Sequence, residues 1–421
     1  MINKTVFCNR NFQILWGGSV ISVLGDQLSL IAIPWLVLHM TQDVLSVGLV
    51  LSVMSLPRAI FILWGGVLTD RYDPLRILKL TRICSFLLTT ALALCIAYHQ
   101  VHLSLMVIIA LGLGLTSALA SPALMSMLPL ILKPEALRAG NSIMMMNMQL
   151  SAIIGPALAG FLLSLEYSTQ MTSSSSMGYV VVFSLDALSF LLAGLSLYAM
   201  RLSTQNKPSQ ASAASFIDFI RSCYAYIKKD QTLTLYLAYI ACMSFFIVGP
   251  SSVGLPILVK EKFMGDAQLL GFFMTTQGLG MTLGMVLVMF LPTLPAAKFG
   301  MVLFSLDTLA GLFVLIFSQL VQIQFMYILL FCIGLISGYI QVTAYVWIQQ
   351  RIETVYMGRV MAILMFASIG LVPLSSALAS AVIQISSVTV LFEIMGIAVI
   401  MFAVIALNHS QLKNMGVLKP Q

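Results

Sequence analysis

Residues 65–82, GGVLTDRYDPLRILKLTR, set two acids and four bases close together in a chain of 421 residues of which only 8% are charged. On either side the sequence turns apolar again, and the chain as a whole is 60% apolar with a mean hydropathy of +1.02. Those values lie far outside the range of soluble globular domains. A knot of charge between two apolar runs reads as a turn at a membrane surface, with a spanning helix entering and another leaving. A chain of this length supplies about twelve helices of ~20 apolar residues, each able to cross ~30 Å of hydrocarbon. The expected fold is an all-α membrane protein of twelve transmembrane helices, with little chain left for a soluble domain.

The apolar runs place helices near 12–38, 44–69, 77–98, 102–128, 140–165 and 179–200, then near 232–258, 267–291, 300–318, 324–349, 360–385 and 387–407. Between the two sets lies RLSTQNKPSQASAAS (201–215), polar and rich in Ser, which reads as a linker. SFIDFIRSCYAYIKK (215–229) is amphipathic and basic and reads as a helix at the cytoplasmic interface. The division is therefore an N-terminal six-helix bundle at 1–200, a linker with an amphipathic helix at 201–231, a C-terminal six-helix bundle at 232–407 and a tail at 408–421. A faint repeat supports it: GLTSALASPALMSML (114–128) and GLISGYIQVTAYVWI (334–348) each precede a basic loop and another helix. Such a repeat predicts two bundles with pseudo-two-fold symmetry around a path near the membrane midplane.

Lys and Arg set the orientation. The N-terminus, alternate loops, linker and C-terminus hold 18 of the 21, Lys260 and Lys262 fall on the opposite side, and Arg58 falls inside a span. The basic side is the cytoplasmic one, so both termini are expected there and the number of crossings is even. The net charge of +7 comes from these scattered bases and forms no continuous basic face, so a nucleic-acid partner is not expected. The sequons at Asn3 and Asn408 face the cytoplasm on this map. Six cysteines lie far apart with no CxxC pair, and His99 and His102 have no nearby carboxylate or thiol, so neither disulfides nor a metal site is expected. Residues 1–11 carry no cleavage site, so no removable signal peptide is expected.

The opening stretch resembles the loop between helices 2 and 3 of the major facilitator superfamily, which runs Gly-x-Leu-x-Asp-Arg-x-Gly followed by bases. Gly66, Leu68, Asp70 and Arg71 match, while Asp73, Pro74 and Leu75 stand in place of the usual Gly and first bases before Arg76. The Asp-Arg-Tyr-Asp variant is similar to the branch containing macrolide efflux pumps and the enterobactin exporter. So are Gly25-Asp26 with Pro34-Trp35-Leu36-Val37, Ala139-Gly140-Asn141-Ser142, Gly155-Pro156-Ala157-Leu158-Ala159-Gly160, Phe183-Ser184-Leu185-Asp186-Ala187 and Gly358-Arg359-Val360-Met361. The resemblance implies a cytoplasmic gate of Gly66, Asp70, Arg71, Arg76 and Arg359. In it the Asp70 carboxylate accepts bonds from Arg71 or Arg359 near the N-terminus of helix 11, and the loop stabilises the outward-open state. Lys79 and Arg82 read instead as topology and lipid-headgroup charges. Gly155, Pro156 and Gly160 resemble the superfamily's antiporter motif on helix 5, incomplete at Ser151 and Ala159-Gly160, and plain small-residue packing accounts for the same residues. Met144, Met145, Met146 and Met148 read as helix packing or as a pliable apolar wall.

Asp26, Arg58, Asp186, Asp307 and Glu393 are ionisable groups inside predicted spans, where charge is costly and function is the default reading. At 1.5 Å per residue, Asp26, Arg58 and Asp186 come roughly 17–21 Å above the cytoplasmic boundary and Asp307 at ~10 Å. Asp26, Arg58, Asp186 and Asp307 form the expected proton-coupling or substrate path; Glu393 lies on a helix that is peripheral in the superfamily. Asp26 is expected to carry the proton with Arg58 tuning it, Asp186 is the substitute, and a permanent Asp26–Arg58 ion pair is the alternative. The short loops hold no acid, base or metal constellation and no GxxxxGK[ST] loop, so neither an enzyme nor a built-in ATPase is expected. The expected function is a proton-coupled secondary exporter of amphipathic small molecules, of drug, macrolide or siderophore type, working by alternating access as an antiporter. The alternative is a lipid or lysophospholipid translocator of the same fold. No cofactor is expected; the partners are the small substrate, protons and the bilayer, with the chain monomeric in a bacterial inner membrane.

Overall fold

In hydrocarbon every backbone N–H and C=O has to be satisfied within its own segment, so long apolar runs become helices. The computed structural model describes residues 7, 9–71, 73–168, 177–200, 226–263, 267–291, 294–353 and 356–416, without the side chains at 62–71, 134, 135, 138, 165–168, 357–359 and 362. The first six long helices are α1 (Arg10–Thr41), α2 (Val44–Arg71), α3 (Pro74–Ala97), α4 (Leu103–Ile131), α5 (Pro134–Ser168) and α6 (Met177–Tyr198). Then come α7 (Gln231–Phe263), α8 (Ala267–Leu287), α9 (Phe299–Gln319), α10 (Ile323–Arg351), α11 in two pieces (Met357–Ile369 and Val372–Ile385), α12 (Val388–Asn408) and the short α13 (Ser410–Lys413). Twelve helices are long and apolar enough to span a membrane, the two pieces of α11 counting as one. The all-helical class and the twelve spans agree with the hydropathy reading.

The differences lie at helix ends and have local causes. Asp73 and Pro74, the departure from the family pattern, start α3: the Asp73 carboxylate accepts from the Leu75 N–H at 3.0 Å, and Pro74 occupies the first turn, where no N–H is needed. Pro134 likewise lets α5 begin six residues before the predicted 140, which brings Ala139–Ser142 into the helix. Lys260 and Lys262, expected in a loop, extend the last turn of α7, and Lys262 Nζ donates to the Ser318 carbonyl at the end of α9 at 2.7 Å. The single helix expected at 360–385 is broken at Gly370–Leu371, where Pro373 restarts it without a backbone donor. The break turns the Ser375 hydroxyl onto the Phe245 carbonyl of α7.

The chain divides into two compact units: Met1–Ala213 with Asp266–Thr275, and Ala214–Gly265 with Thr276–Gln421. The first turns of α8 thus belong with the first unit. Residues 201–225 of the expected linker lie outside the described residues. In the first unit α1 packs on α5 and α6, α3 on α4 and α6, and α2 on α4; in the second α7 packs on α11 and α12, α9 on α10 and α12, and α8 on α10. The same pairing is used twice.

Two further details carry the repeat. Gly114 of α4 and Gly334 of α10 each stand where a Cβ would fall 2.1 Å from a neighbouring carbonyl, Met54 of α2 and Gln277 of α8 respectively. Both are the first residue of the repeated stretches. At the helix ends, Asn9 caps α1, accepting from Phe12 N–H at 3.2 Å, and its amide donates to the Ile131 carbonyl at the end of α4 at 2.6 Å. Asp230 occupies the corresponding place before α7: it accepts from the Leu233 N–H at 3.2 Å and from the Arg351 guanidinium at the end of α10. Each half therefore ties the start of its first helix to the end of its fourth.

Candidate functional site

The polar residues of the first unit converge where α1 meets α6. Gly25 has no side chain, and a Cβ there would lie 2.2 Å from Ser189 Oγ and 2.4 Å from Asp186 Oδ1, so the polar face of α6 closes directly on α1. One turn along α1, the Ser29 hydroxyl donates to Asp186 Oδ2, while Ser189 Oγ donates to the Asp186 carbonyl at 2.7 Å and lies 3.4 Å from Oδ1. The Asp186 side chain is 1% exposed and has no ion pair among the described residues. Asp26, next to Gly25, has an exposed side chain and makes no hydrogen bond or ion pair among the described residues. Buried Ser19, Ser22 and Asn147 continue the polar strip, with Asn147 Nδ2 3.4 Å from Ser19 Oγ.

Arg82, read from sequence with Lys79 as a headgroup charge, is directed into the bundle. It stands eight residues inside α3, about 12 Å from its start. Its guanidinium lies 5.5 Å from the Phe190 ring centroid on α6, and it lines a small cavity with Gly18, Ser19, Leu78, Ser196 and Leu197. Asp26 and Asp186 both lie within its electrostatic reach. Depth was the signal available in the sequence; adjacency to the surface cluster hid it. Lys79 stays near the helix end, its Nζ 4.3 Å above the Tyr198 ring.

The other sequence candidates are dispersed. Arg58 donates from Nε to Ser117 Oγ at 3.0 Å and has an exposed side chain; no Asp26–Arg58 ion pair is present among the described residues. In the second unit Asp307 accepts from Tyr239 Oη at 2.6 Å, and Glu393 accepts from Gln319. Among the gate residues, the side chains of Asp70, Arg71 and Arg359 and the surroundings of Gly66 lie outside what the structure describes, whereas Arg76 is 89% exposed with Nε 3.7 Å from Asp73. On α5, a Cβ at Gly155 would meet Gln27 Cβ at 2.3 Å and one at Gly160 the Ala267 carbonyl at 2.8 Å. Pro156 offers its carbonyl 2.3 Å from the Cβ position of Gly271, and Thr275 Oγ1 donates to the Ile153 carbonyl at 2.9 Å. Met144 is buried in the core while Met145, Met146 and Met148 are exposed.

Twelve spanning helices in a pairing pattern used twice are the architecture of a polytopic membrane protein. The chain belongs to the Major Facilitator Superfamily, whose profile matches residues 15–373. Its members are transporters rather than enzymes. The staphyloferrin A transporter of Staphylococcus aureus is 24% identical over 92% of this chain and 93% of its own. The enterobactin exporter EntS of Salmonella typhimurium is 30% identical over 36% of this chain and 37% of its own. Macrolide efflux protein A of Streptococcus pyogenes is 20% identical over 60% of each chain. Among solved structures, a bacterial homologue of the lysosomal transporter Spinster covers 96% of both chains with a TM-score of 0.68 at 13% identity. A D-xylose–proton symporter covers 93% of this chain and 95% of its own with a TM-score of 0.66 at 13% identity. At those identities the structures establish the fold alone.

Proposed function

We propose that the chain is a proton-coupled exporter of amphipathic small molecules, of siderophore or macrolide type, that works by alternating access. The observation that carries the reading is the pairing of superfamily membership with two carboxylates, Asp26 and Asp186, on adjoining helices of the first unit. A buried acid with hydroxyl partners and no ion pair is the side-chain chemistry that proton exchange requires, because Arg cannot itself release the proton. The names of the relatives supply the substrate class. Asp70, Arg71 and Arg359 serve as the cytoplasmic gate in this reading, and both termini lie in the cytoplasm of a bacterial cell.

The test is export into everted vesicles of staphyloferrin A, enterobactin, erythromycin, a cationic dye and a lysophospholipid, followed by proteoliposomes with an imposed pH gradient. Uphill movement of a siderophore or macrolide is expected. Asp26→Asn or Asp186→Asn should abolish it while leaving downhill exchange within about twofold of the parent, since positioning of the substrate does not depend on the charge. Gradient-independent transport by the parent protein, or uphill export surviving in both variants, overturns the coupling.

A further inference from the structure

We propose that Arg82 is the shared counter-charge of Asp26 and Asp186, so that the three side chains form one group holding a single exchangeable proton. The inference rests on the proton-coupled reading above and adds the positioning residue that neither the charged loop nor the predicted spans revealed.

The geometry begins on α6. Asp186, Phe190 and Gly194 follow at four-residue intervals and share one face of the helix, about one turn apart. Arg82 Cβ lies 3.4 Å from where a Cβ on Gly194 would sit, and its guanidinium carbon lies 5.5 Å from the Phe190 ring. The side chain therefore runs along α6 from the level of Gly194 to that of Phe190, one turn short of Asp186. Gly18, across the cavity, lets α6 close on α1, since a Cβ there would lie 2.6 Å from Ser196 Oγ.

The groups around it are few. In the cavity it meets Ser19 of α1, Ser196 of α6 and the apolar Leu124 of α4, with Asn147 of α5 3.4 Å from Ser19 Oγ; the acids Asp26 and Asp186 lie at longer range, Asp186 bonded to Ser29 and Ser189. Arg58 on α2 is the other base near Asp26, but its guanidinium is engaged by Ser117, with Nε donating to Oγ at 3.0 Å. Arg82 has no ion-pair partner within direct contact among the described residues, only the ring of Phe190 and the two acids at longer range. A guanidinium in apolar surroundings is costly unless charge nearby compensates it. Two carboxylates and one guanidinium sum to −1 with both acids ionised and to zero with one of them protonated. Arg82 thus sets the capacity of the group at one proton.

The first measurement needs no substrate. In thermal unfolding of the purified protein in detergent, Arg82→Gln should lower the midpoint by about 5 °C. Adding Asp26→Asn or Asp186→Asn to it should recover at least half of the loss, and Arg82→Lys, which keeps the charge, should lose least. A packing role would give additive losses in the double variants and no advantage to Lys, and that outcome overturns the proposal. If Arg82→Gln does not accumulate, recovery of its abundance by either Asn substitution supports the same pairing, and failure of both to recover it counts against. In the pH-gradient assay with the panel above, Arg82→Gln should lose tenfold or more of uphill export, and Arg82→Lys should keep most of it. Should the Asp26→Asn and Asp186→Asn variants both export uphill, the coupling reading fails, while the unfolding cycle still decides the pairing of Arg82.

Discussion

At the scale of single residues, the side chains with the firmest assignments are those whose partners are backbone or charge at fixed distance. Asp230 is the clearest. Burial works against its charged form, yet the bonds from Arg351 and from the backbone N–H groups of Leu233 and Thr232 outweigh it, holding the carboxyl below its usual range. A carboxyl depressed in the folded state contributes stability above its unfolded pKa of about 4, and that contribution is lost as pH falls through the lower folded value. The unfolding midpoint of the purified protein should therefore hold level from neutral pH down to about 5 and then fall. Asp230→Asn should cost roughly 2 kcal/mol at neutral pH, because it leaves Arg351, 9% exposed, without its counter-charge, with the partial exposure of Asp230 (30%) limiting the effect. The acid step should shrink in that variant; an unchanged acid profile would show that the pair contributes nothing. Arg351 also stacks on Trp347, whose indole N–H donates to the Met415 carbonyl at 2.9 Å, so the same residue ties the C-terminal segment to α10.

Between elements, close approach depends on small residues rather than on apolar stripes. On α8, Gly280 and Gly284 face the Phe331 and Leu335 carbonyls of α10, and Gly334 and Gly338 of α10 face those of Gln277 and Met281 in return. Two GxxxG segments thus meet backbone to backbone. A Cβ at Gly338 would lie 1.9 Å from the Met281 carbonyl, which cannot yield unless the helix moves. Gly338→Leu should cost about 3 kcal/mol and reduce membrane abundance, read by fluorescence size-exclusion of the solubilised protein. Gly17→Ala, with nothing within 4 Å of the new methyl, is the matched control and should be neutral or slightly stabilising. Equal behaviour of the two variants would refute the packing argument. The broken α11 follows from sequence chemistry as well, since Gly370 and Pro373 stand where the helix stops and restarts. The hydropathy run passed straight across them because neither residue interrupts an apolar average.

For the whole molecule, the expectation that remains to be measured is orientation. The surplus of bases on one side puts the Ser-rich stretch at 171–178 outside and the polar stretch at 201–215 inside. In intact cells a membrane-impermeant thiol reagent should label a cysteine placed by Ser174→Cys and spare one placed by Ser209→Cys, in a background without the native cysteines. The reverse pattern inverts the map, and with it the direction of the proposed export.

The amino-acid sequence by itself determined the class, the twelve spans and the start of the repeat at Gly114 and Gly334, because each follows from the transfer preference or backbone needs of residues taken one stretch at a time. Asp26 and Asp186 were legible for the same reason: a charge inside an apolar run is conspicuous whatever surrounds it. The tertiary structure alone decided the partners. It gave Asp186 to Ser29 and Ser189, Arg58 to Ser117, Asp307 to Tyr239, and it directed Arg82 inward towards Phe190. In water the apolar face of a helix shows which side is buried. In lipid the outer face is as apolar as the inner one, so periodicity does not show which face meets which neighbour, and only the packed helices reveal where each polar side chain finds its partner.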